Sequence, residues 1–328
     1  VVGSVTKPTT TQPPGGLMRV FVTGASGWIG SAVVAELIGA GHEVVGLARS
    51  DDSATAIAAA GAQVQRGSLD DLESLKRGAS SCDGVIHLAF DHEIAFSGNF
   101  EAAADADRRA IEVFADLLAG SGRPLTIASG TLGLSVGHVA TELDGHGVET
   151  QTQLTGRGEG PRKRHETAEF TLALASRNIR SSVVRLPPTN HGDGDNGFMA
   201  RLVDIARTTG VAGYLGDGSN RWPSVHRLDS AHLFRLAVES APAGSTLHAV
   251  ADEGVAFRDI AAVMGRHLDV PVEAVSGEKA AEHFTWLAGF VGIDSPASSA
   301  ITRELMSWEP TRLGLIDDLD EGHYFASS

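Results

Sequence analysis

The sequence predicts a doubly wound α/β fold, in which helices cover both faces of a parallel sheet, joined to a second, smaller lobe. From Met18 onward, short segments rich in β-branched residues alternate with longer segments of helical period, as is typical of this fold. The alternation ends at Leu186–Gly197, where proline and glycine terminate a strand and open an irregular loop. The expected main domain is 18–185 with 224–250, and the expected smaller lobe is 186–223 with 251–328.

The elements of the main domain follow one another in a regular order. Strands are expected at Arg19–Thr23, Glu43–Ala48, Gln63–Arg66, Gly84–Ala89, Leu125–Ser129 and Ser181–Leu186. Helices are expected between them, near Trp28–Ala40, Ser53–Ala60, Asp71–Ala79, Phe100–Gly120 and Arg162–Arg177. Six or more strands separated by helices predict a parallel sheet rather than hairpins.

Composition argues against several kinds of partner. The 328 residues are 42% hydrophobic, which is enough for a substantial core. The 26 Lys and Arg residues stand against 41 Asp and Glu, and the formal charge of −15 argues against binding nucleic acid or an anionic membrane. No apolar run is long enough to span a bilayer. We therefore expect a cytoplasmic protein that acts on a small molecule.

The single cysteine and the first segment of the chain carry little chemistry. Cys82 precedes a predicted buried strand and has no partner for a disulfide, so we interpret it as a core thiol rather than a nucleophile. Val1–Leu17 is rich in Thr, Pro and Gly and lacks the basic start and apolar run of a signal peptide. We interpret it as a disordered leader or a remnant of cloning.

Three glycines mark the first turn after a strand. Gly24, Gly27 and Gly30 follow an apolar strand and open an apolar helix, which is the context that gives such a triplet meaning. Gly24 allows a tight turn, Gly27 lets the backbone approach a diphosphate, and Gly30 lets the helix pack closely on the sheet. The positive end of the helix dipole then attracts the phosphates. The expected contacts with a dinucleotide come from Thr23, Gly24, Ser26, Gly27, Trp28, Ile29 and Gly30.

The end of the second strand bears on which nicotinamide cofactor is bound. A carboxylate there accepts from a free ribose hydroxyl, whereas a cation pairs with a 2′-phosphate. Arg49 occupies this position with no acid before it, and Ser50 can donate to the same phosphate. These residues favour NADP(H) over NAD(H), although Asp51 and Asp52 follow closely and leave NAD(H) open.

Several longer motifs extend the pattern over most of the chain. They are TGASGWIG at Thr23–Gly30, HLAF at His87–Phe90, IASGT at Ile127–Thr131, RLPPTNHGDG at Arg185–Gly194, RWPSVHRLDSAHLFRLAVE at Arg221–Glu239 and SWEPTRLGLIDDLDEG near the end. With these motifs the chain resembles the extended short-chain dehydrogenase/reductase family, also called NAD-dependent epimerase/dehydratase. The resemblance implies a Rossmann domain, a nicotinamide cofactor and a substrate-binding serine at Ser129. Further cofactor contacts are expected from Leu69, Leu88, Ala89, Phe90, His165 and Pro187.

The chain departs from this family at the active-site tyrosine and lysine. Aligning the helix through Ala168 and Glu169 puts Pro161 at the tyrosine and His165 at the lysine. The apolar spacing of this helix places His165 on the face turned toward the sheet. His165 is either a buried histidine bonded to backbone, or a ribose donor or proton relay.

Candidates for the missing acid are few. The best set from the sequence is Ser129, His165 and Tyr214, while Tyr324 lies near the C-terminus. Tyr214 can instead be an aromatic residue of the lobe core. Lys163 and Arg164 point away from the predicted buried stripe, and we interpret both as solvated charges.

The substrate side is expected to be moderately apolar. Thr131, Phe198 and Trp222 are the expected substrate contacts. Other aromatic and apolar candidates for this wall are Phe90, Leu132, Phe284, Trp286 and Phe290. Arg201 and Arg221 leave an anionic substrate open. The remaining histidine and carboxylate candidates, His138, His146, His191 and Asp193, lack zinc-ligand spacing, so no metal is predicted.

These observations favour an NADP(H)-dependent oxidoreductase acting on a small carbonyl, alcohol or imine by hydride transfer. A cofactor-binding sensor without chemistry, and a sugar-type epimerase or dehydratase with retained cofactor, are the alternatives. The helices Phe100–Gly120 and Arg162–Arg177 resemble those of the family's dimer interface. We take Phe114, Leu118, Phe170 and Leu174 to lie on their outer faces, and so predict a homodimer.

Overall fold

A computed structural model of the chain describes residues 16–95, 99–134, 137–146 and 159–326. The strands are β1 Arg19–Thr23, β2 Glu43–Ala48, β3 Gln63–Arg66, β4 Gly84–His87, β5 Pro124–Gly130, β6 Arg180–Leu186, β7 Thr189–His191, β8 Ala212–Leu215, β9 Arg221–His226, β10 Ser245–His248, β11 Asp252–Ala256 and β12 Val272–Val275. The helices are α1 Trp28–Gly39, α2 Asp51–Ala59, α3 Leu72–Ser80, α4 His92–Ile94, α5 Phe100–Leu118, α6 Glu159–Ala173, α7 Phe198–Thr209, α8 Arg227–Ser240, α9 Phe257–Leu268, α10 Ala280–Phe284, α11 Ala300–Met306 and α12 Leu315–Asp320. A 3₁₀ turn, Leu174–Arg177, continues α6.

Seven parallel strands form the central sheet, in the order β10-β6-β5-β4-β1-β2-β3. The predicted doubly wound fold is therefore confirmed. Because β1 pairs with both β2 and β4, the winding reverses between β1 and β4, and a crevice opens at the carboxyl ends of these strands. The first three predicted strands have the expected bounds, β4 ends two residues early, and β10 adds a strand that had not been predicted.

Side-chain alternation along the strands divides the core between the two faces of the sheet. In β1, Val20 and Val22 pack under α1 and α8, whereas Phe21 packs under α3 and α5. All three side chains are fully buried. Burying both faces in this way is what makes the strands of a parallel sheet almost continuously apolar.

The inference about outer helix faces is wrong. Phe114 and Leu118 of α5 and Leu174 after α6 are fully buried against the sheet. Phe170 is half-buried, and the guanidinium of Arg108 lies 3.6 Å from the centre of its ring. The periodicity identified a buried stripe correctly, but the stripe faces the protein's own core. The homodimer stays a prediction without this support.

The smaller lobe has a core of its own. A three-stranded sheet, β11-β9-β7, and a two-stranded sheet, β12-β8, pack with α7 and α9 around buried Trp222 and Phe257. Among the described residues, no helix is both long enough and apolar enough to cross a lipid bilayer.

A late segment of the chain returns to the main domain. Trp308 is fully buried in the same core cluster as Val20 and α8, and its Nε1 donates to the carbonyl of Asp229 at 3.1 Å. The carboxylate of Asp229 accepts from the backbone N–H groups of Thr311 and Arg312, both at 3.0 Å. This segment therefore closes one face of the main-domain core.

Candidate active site

The three glycines form a cradle that leaves no room for side chains. A Cβ on Gly30 would lie 1.9 Å from the carbonyl oxygen of Gly24, and a Cβ on Gly24 would lie 2.8 Å from the amide nitrogen of Ala89. Gly24 has a φ of +68°, which favours glycine. The helix α1 begins just after this turn with no side-chain cap on its first amides. Uncapped amides and close backbone fit a diphosphate.

One large cavity runs from this cradle to the smaller lobe. Its volume is about 2080 Å³, which exceeds the size of a single drug-sized pocket and accommodates a dinucleotide with a substrate. On the cofactor side it is lined by Gly24, Ser26, Gly27, Trp28, Ile29, Gly30, Arg49, Leu69, Leu88, Ala89, Phe90 and Pro187. On the other side it is lined by Ser129, Leu132, His165, Phe198, Arg201, Trp286 and Phe290. The structure thus brings most of the predicted site together.

Thr23 and Ser50 are placed differently from the sequence prediction. Thr23 is fully buried, and its Oγ1 accepts from the amides of Leu88 and Ala89, both at 3.2 Å. The hydroxyl of Ser50 caps α2 by accepting from the amide of Ser53 at 3.2 Å. Neither residue is among those that line the cavity, because both hydroxyls serve neighbouring backbone.

Tyr214, Thr131 and Trp222 are not brought to the cavity either. Tyr214 lies on β8 and packs on the core of the smaller lobe. Thr131 and Trp222 are fully buried, and Trp222 contacts Phe198 and Phe257 inside that core. The predictions of a relocated acid at Tyr214 and of substrate contacts at Thr131 and Trp222 therefore lack structural support.

Phe284 and Arg221 also lie away from the described cavity wall. Phe284 is buried in the lobe core. Arg221 pairs with Asp294, with 2.9 Å between Nη2 and Oδ2, and this contact raises the pKa of the arginine. Arg201, by contrast, lines the cavity and lies near Asp204.

Ser129 and His165 both line the cavity. Ser129 is half-buried near the carboxyl end of β5. His165 of α6 is buried, as its helical spacing predicts, and its Nε2 has no hydrogen-bond partner in the described part of the chain. Burial lowers the pKa of His165, and the charge of Arg185 acts in the same direction. A neutral imidazole with an unused ring nitrogen suits a ligand hydroxyl better than it suits proton donation.

The interpretation of Arg164 as a solvated charge is wrong, whereas Lys163 stays near the surface. Lys163 pairs with Glu101 and Asp105 of α5, with Nζ–O distances of 2.7 and 2.8 Å. Arg164 lines the cavity, and its Nη1 lies 2.9 Å from Oδ2 of the buried Asp107. A long arginine stem lets a residue at the margin of the buried stripe carry its charge into the site.

Asp107 belongs to a buried polar chain that leads back to the cradle. Its Oδ1 lies 3.1 Å from Nε2 of His87, and Nδ1 of His87 lies 2.7 Å from Oγ1 of Thr23. This order assigns a proton to Nε2 of His87, which donates to Asp107, while the Thr23 hydroxyl donates to Nδ1. The chain Thr23–His87–Asp107–Arg164 was not found from the sequence. Its one visible signal is Asp107, an acid within the apolar stripe of α5.

Tyr324, the other tyrosine, is already engaged. Its hydroxyl donates to Oδ2 of Asp195 at 2.9 Å and accepts from the amide of Gly192 at 3.1 Å. Burial raises the pKa of Tyr324, and the neighbouring charge of Asp195 raises it further. Tyr324 therefore ties down the loop after β7 and is a poor proton donor.

The remaining histidine candidates pair with carboxylates, and the cysteine is a buried thiol. His138 pairs with Asp144, His146 with Glu169 and His191 with Asp318. Asp193 is exposed. Among the described residues, no group of three or more His, Cys, Asp or Glu side chains could hold a metal ion. Cys82 is a buried free thiol, and burial raises its pKa, which confirms the prediction of a core residue.

Comparisons with known proteins agree with this architecture. The model of the NAD dependent epimerase/dehydratase family matches residues 20–120. An uncharacterized protein of Schizosaccharomyces pombe is 45% identical over 309 residues, which are 94% of this chain and 100% of that protein. Sterol-4-alpha-carboxylate 3-dehydrogenase, decarboxylating, of Dictyostelium discoideum is 26% identical over 250 residues, 74% of each chain. The structure of DesIV, a dTDP-glucose 4,6-dehydratase from Streptomyces venezuelae, has a TM-score of 0.72 at 17% identity, covering 93% of this chain and 96% of that one.

Proposed function

Because this chain belongs to the NAD-dependent epimerase/dehydratase family of extended short-chain dehydrogenases/reductases, we propose that it is an NADP(H)-dependent oxidoreductase. Its substrate is a small, moderately apolar carbonyl compound or the corresponding alcohol. The observation that carries the proposal is one large cavity, whose wall contains the glycine cradle, Ser129 and a cluster of aromatic residues. A cofactor and an apolar substrate can therefore meet there.

Different residues of the cavity wall have different roles in such a reaction. The cradle around Gly27 holds the diphosphate, and the unused ring nitrogen of His165 bonds a ribose hydroxyl. When bound, the reduced dinucleotide supplies a hydride to the carbonyl carbon. Ser129 donates a hydrogen bond to the carbonyl oxygen, which receives the electron pair of the broken π bond and then a proton from water.

Arg49 supports the preference for NADP(H). It follows the end of β2, lines the cavity and has a side chain that is 65% exposed. Its Nη1 lies 3.7 Å from Oδ2 of Asp91, so the guanidinium is held near the cavity by a loose ion pair. The last residues of β2 carry no carboxylate that would prefer a free ribose hydroxyl.

The aromatic wall supports an apolar substrate. The ring of Phe198 lies 5.5 Å from the ring of Trp286 and 5.6 Å from that of Phe290, measured between centroids. All three residues line the cavity on the side of the smaller lobe. The Dictyostelium relative, whose name specifies a sterol, agrees with a substrate of low polarity.

Turnover is tested by following NADPH absorbance with a panel of ketones, aldehydes and imines. We expect consumption with apolar carbonyls, a loss of about 10²- to 10³-fold in kcat for Ser129→Ala because one oxygen donor is removed, and no more than a twofold change for Tyr214→Phe. Stoichiometric cofactor binding without turnover of any compound would favour the sensor. Cofactor that stays bound through purification, together with turnover of a sugar nucleotide, would favour an epimerase or dehydratase.

Replacing Arg49 with alanine is expected to raise the dissociation constant for NADPH by about 10- to 100-fold, since one charge-assisted pair with the 2′-phosphate is lost. The dissociation constant for NADH is expected to stay within about twofold, because NADH has no such phosphate. Calorimetric titration of both dinucleotides measures this. The matched control is Arg66→Ala, which removes an exposed cation paired with Asp51 outside the cavity wall. Equal losses for NADPH and NADH would contradict the assignment.

A further inference from the structure

We propose that Arg164 binds the substrate oxygen beside Ser129 and stabilises the negative charge that develops on it. The guanidinium thereby takes over the electrostatic part of the work that the family's tyrosine does elsewhere. The inference deepens the proposed hydride transfer and rests on it. It is carried by the place of Arg164 in the cavity and by the buried chain that anchors it.

The guanidinium lies next to the predicted oxygen site. Its Nη2 donates to the carbonyl of Ala128 at 3.2 Å, and Ala128 immediately precedes Ser129 on β5. Both Arg164 and Ser129 line the cavity. A guanidinium has five N–H groups, so the contacts with Ala128 and Asp107 leave donors for a ligand at the same strand end.

Asp107, the ring of Phe90 and the carbonyl of Ala128 together hold the guanidinium of Arg164 in place. Asp107 lies behind it, with 2.9 Å between Nη1 and Oδ2, and the ring of Phe90 lies 4.2 Å below the guanidinium carbon. The chain from Asp107 through His87 to Thr23 also holds the amides of Leu88 and Ala89, which line the cofactor side of the cavity. One rigid frame therefore positions both the cofactor wall and the cation, as electrostatic stabilisation of a transition state requires.

The geometry of the ion pair is consistent with a guanidinium that serves a second partner. Oδ2 of Asp107 is close to Arg164 but receives no aligned hydrogen bond in the described part of the chain. The two groups attract each other as charges, and the guanidinium N–H groups that face neither Asp107 nor Ala128 are left for a ligand. Arg164 therefore stabilises the oxyanion through its positive charge and hydrogen bonds, and water supplies the proton.

Binding is tested first with benzoate, whose carboxylate imitates an oxyanion on an apolar body. Calorimetry should detect benzoate binding to the complex of the protein with NADP⁺, and Arg164→Gln should weaken it at least tenfold while the dissociation constant for NADP⁺ stays within about threefold. The matched control is Lys163→Gln on the same helix, which pairs with Glu101 and Asp105 and should leave benzoate affinity unchanged. Equal affinity in wild type and Arg164→Gln, or no binding by wild type, would overturn the inference.

Kinetics then separate a role at the substrate from mere neutralisation of Asp107. We expect Arg164→Gln to lower kcat by about 10²- to 10³-fold, with a smaller change in KM. Added guanidinium chloride should restore part of the lost kcat. The double variant Arg164→Gln with Asp107→Asn replaces the ion pair by two neutral amides, so a neutralising role predicts recovery of activity. We expect none, and recovery in the double variant would overturn the inference. If wild-type protein binds benzoate more tightly than Arg164→Gln does but reduces no carbonyl compound, the proposed function is refuted and the binding role of Arg164 is not.

Discussion

Gly30→Ala is expected to weaken NADPH binding by about 100-fold or more, which is about 2.7 kcal/mol. The added Cβ would lie 1.9 Å from the carbonyl oxygen of Gly24, 2.7 Å from its carbonyl carbon and 3.1 Å from the Cα of Ala25. All three atoms are backbone, so the turn itself must move to relieve the clash. Overpacking of this kind also costs about 1–3 kcal/mol of stability. Calorimetric titration and thermal unfolding measure the two effects.

Gly39→Ala is the control for this substitution. Gly39 is the last residue of the same helix, and a Cβ there would meet no atom within 4 Å. Alanine is the better helix former by up to about 1 kcal/mol, so stability should be unchanged or slightly raised and NADPH affinity unchanged. Similar losses of NADPH affinity in both variants would contradict the prediction, because any substitution in α1 would then disturb binding, whether or not it lies in the cradle.

Asp107→Leu is expected to lower the free energy of unfolding by about 3–5 kcal/mol, because it removes one partner of a buried ion pair and leaves the other. Asp107 is 2% exposed and contacts both His87 and Arg164, so leucine would leave a guanidinium and a ring N–H without their acceptor. Urea unfolding measures the change. Asp105→Leu is the control two positions away. Asp105 pairs with Lys163 near the surface, so its replacement should lower the free energy of unfolding by no more than about 1 kcal/mol.

The same carboxylate gives a pH dependence of defined sign. Burial alone would raise the pKa of Asp107, but the charge of Arg164 and the hydrogen bond from His87 outweigh it and hold the pKa below its ordinary value. Its contribution to stability is therefore complete above the unfolded pKa of about 3.9 and is lost as the pH falls through the lower folded pKa. The difference in unfolding free energy between wild type and Asp107→Asn should shrink in acid. A difference that grows on acidification would contradict the ionised assignment.

The cradle could be predicted from the sequence because its parts are adjacent in the chain. Gly24, Gly27 and Gly30 lie between one strand and one helix, and their spacing alone fixes the turn. The strands of the sheet were predictable for a similar reason, since β-branched runs bounded by turn residues are local signals. Pairing order and the extra strand β10 depend on contacts between distant segments, which periodicity does not report.

Arg164 and Thr23 show where local reasoning fails. Arg164 precedes the buried His165 and was assigned to solvent from the helical period, but a long side chain at the margin of a stripe can reach inward. Thr23 was assigned to the cofactor because of its place in the motif, whereas its hydroxyl holds the end of β4. In both cases the deciding partner comes from a distant element, α5 for Arg164 and β4 for Thr23.

The return of Trp308 to the first core has a consequence for how the protein is made. The ribosome completes β1 and α1 early, yet the indole that fills their core cluster and the amides that satisfy Asp229 emerge much later. At about 5–20 residues per second, the nascent chain waits several seconds with this apolar face uncovered after β10 has been synthesised. The core of the first domain is therefore complete only after this late segment has been synthesised.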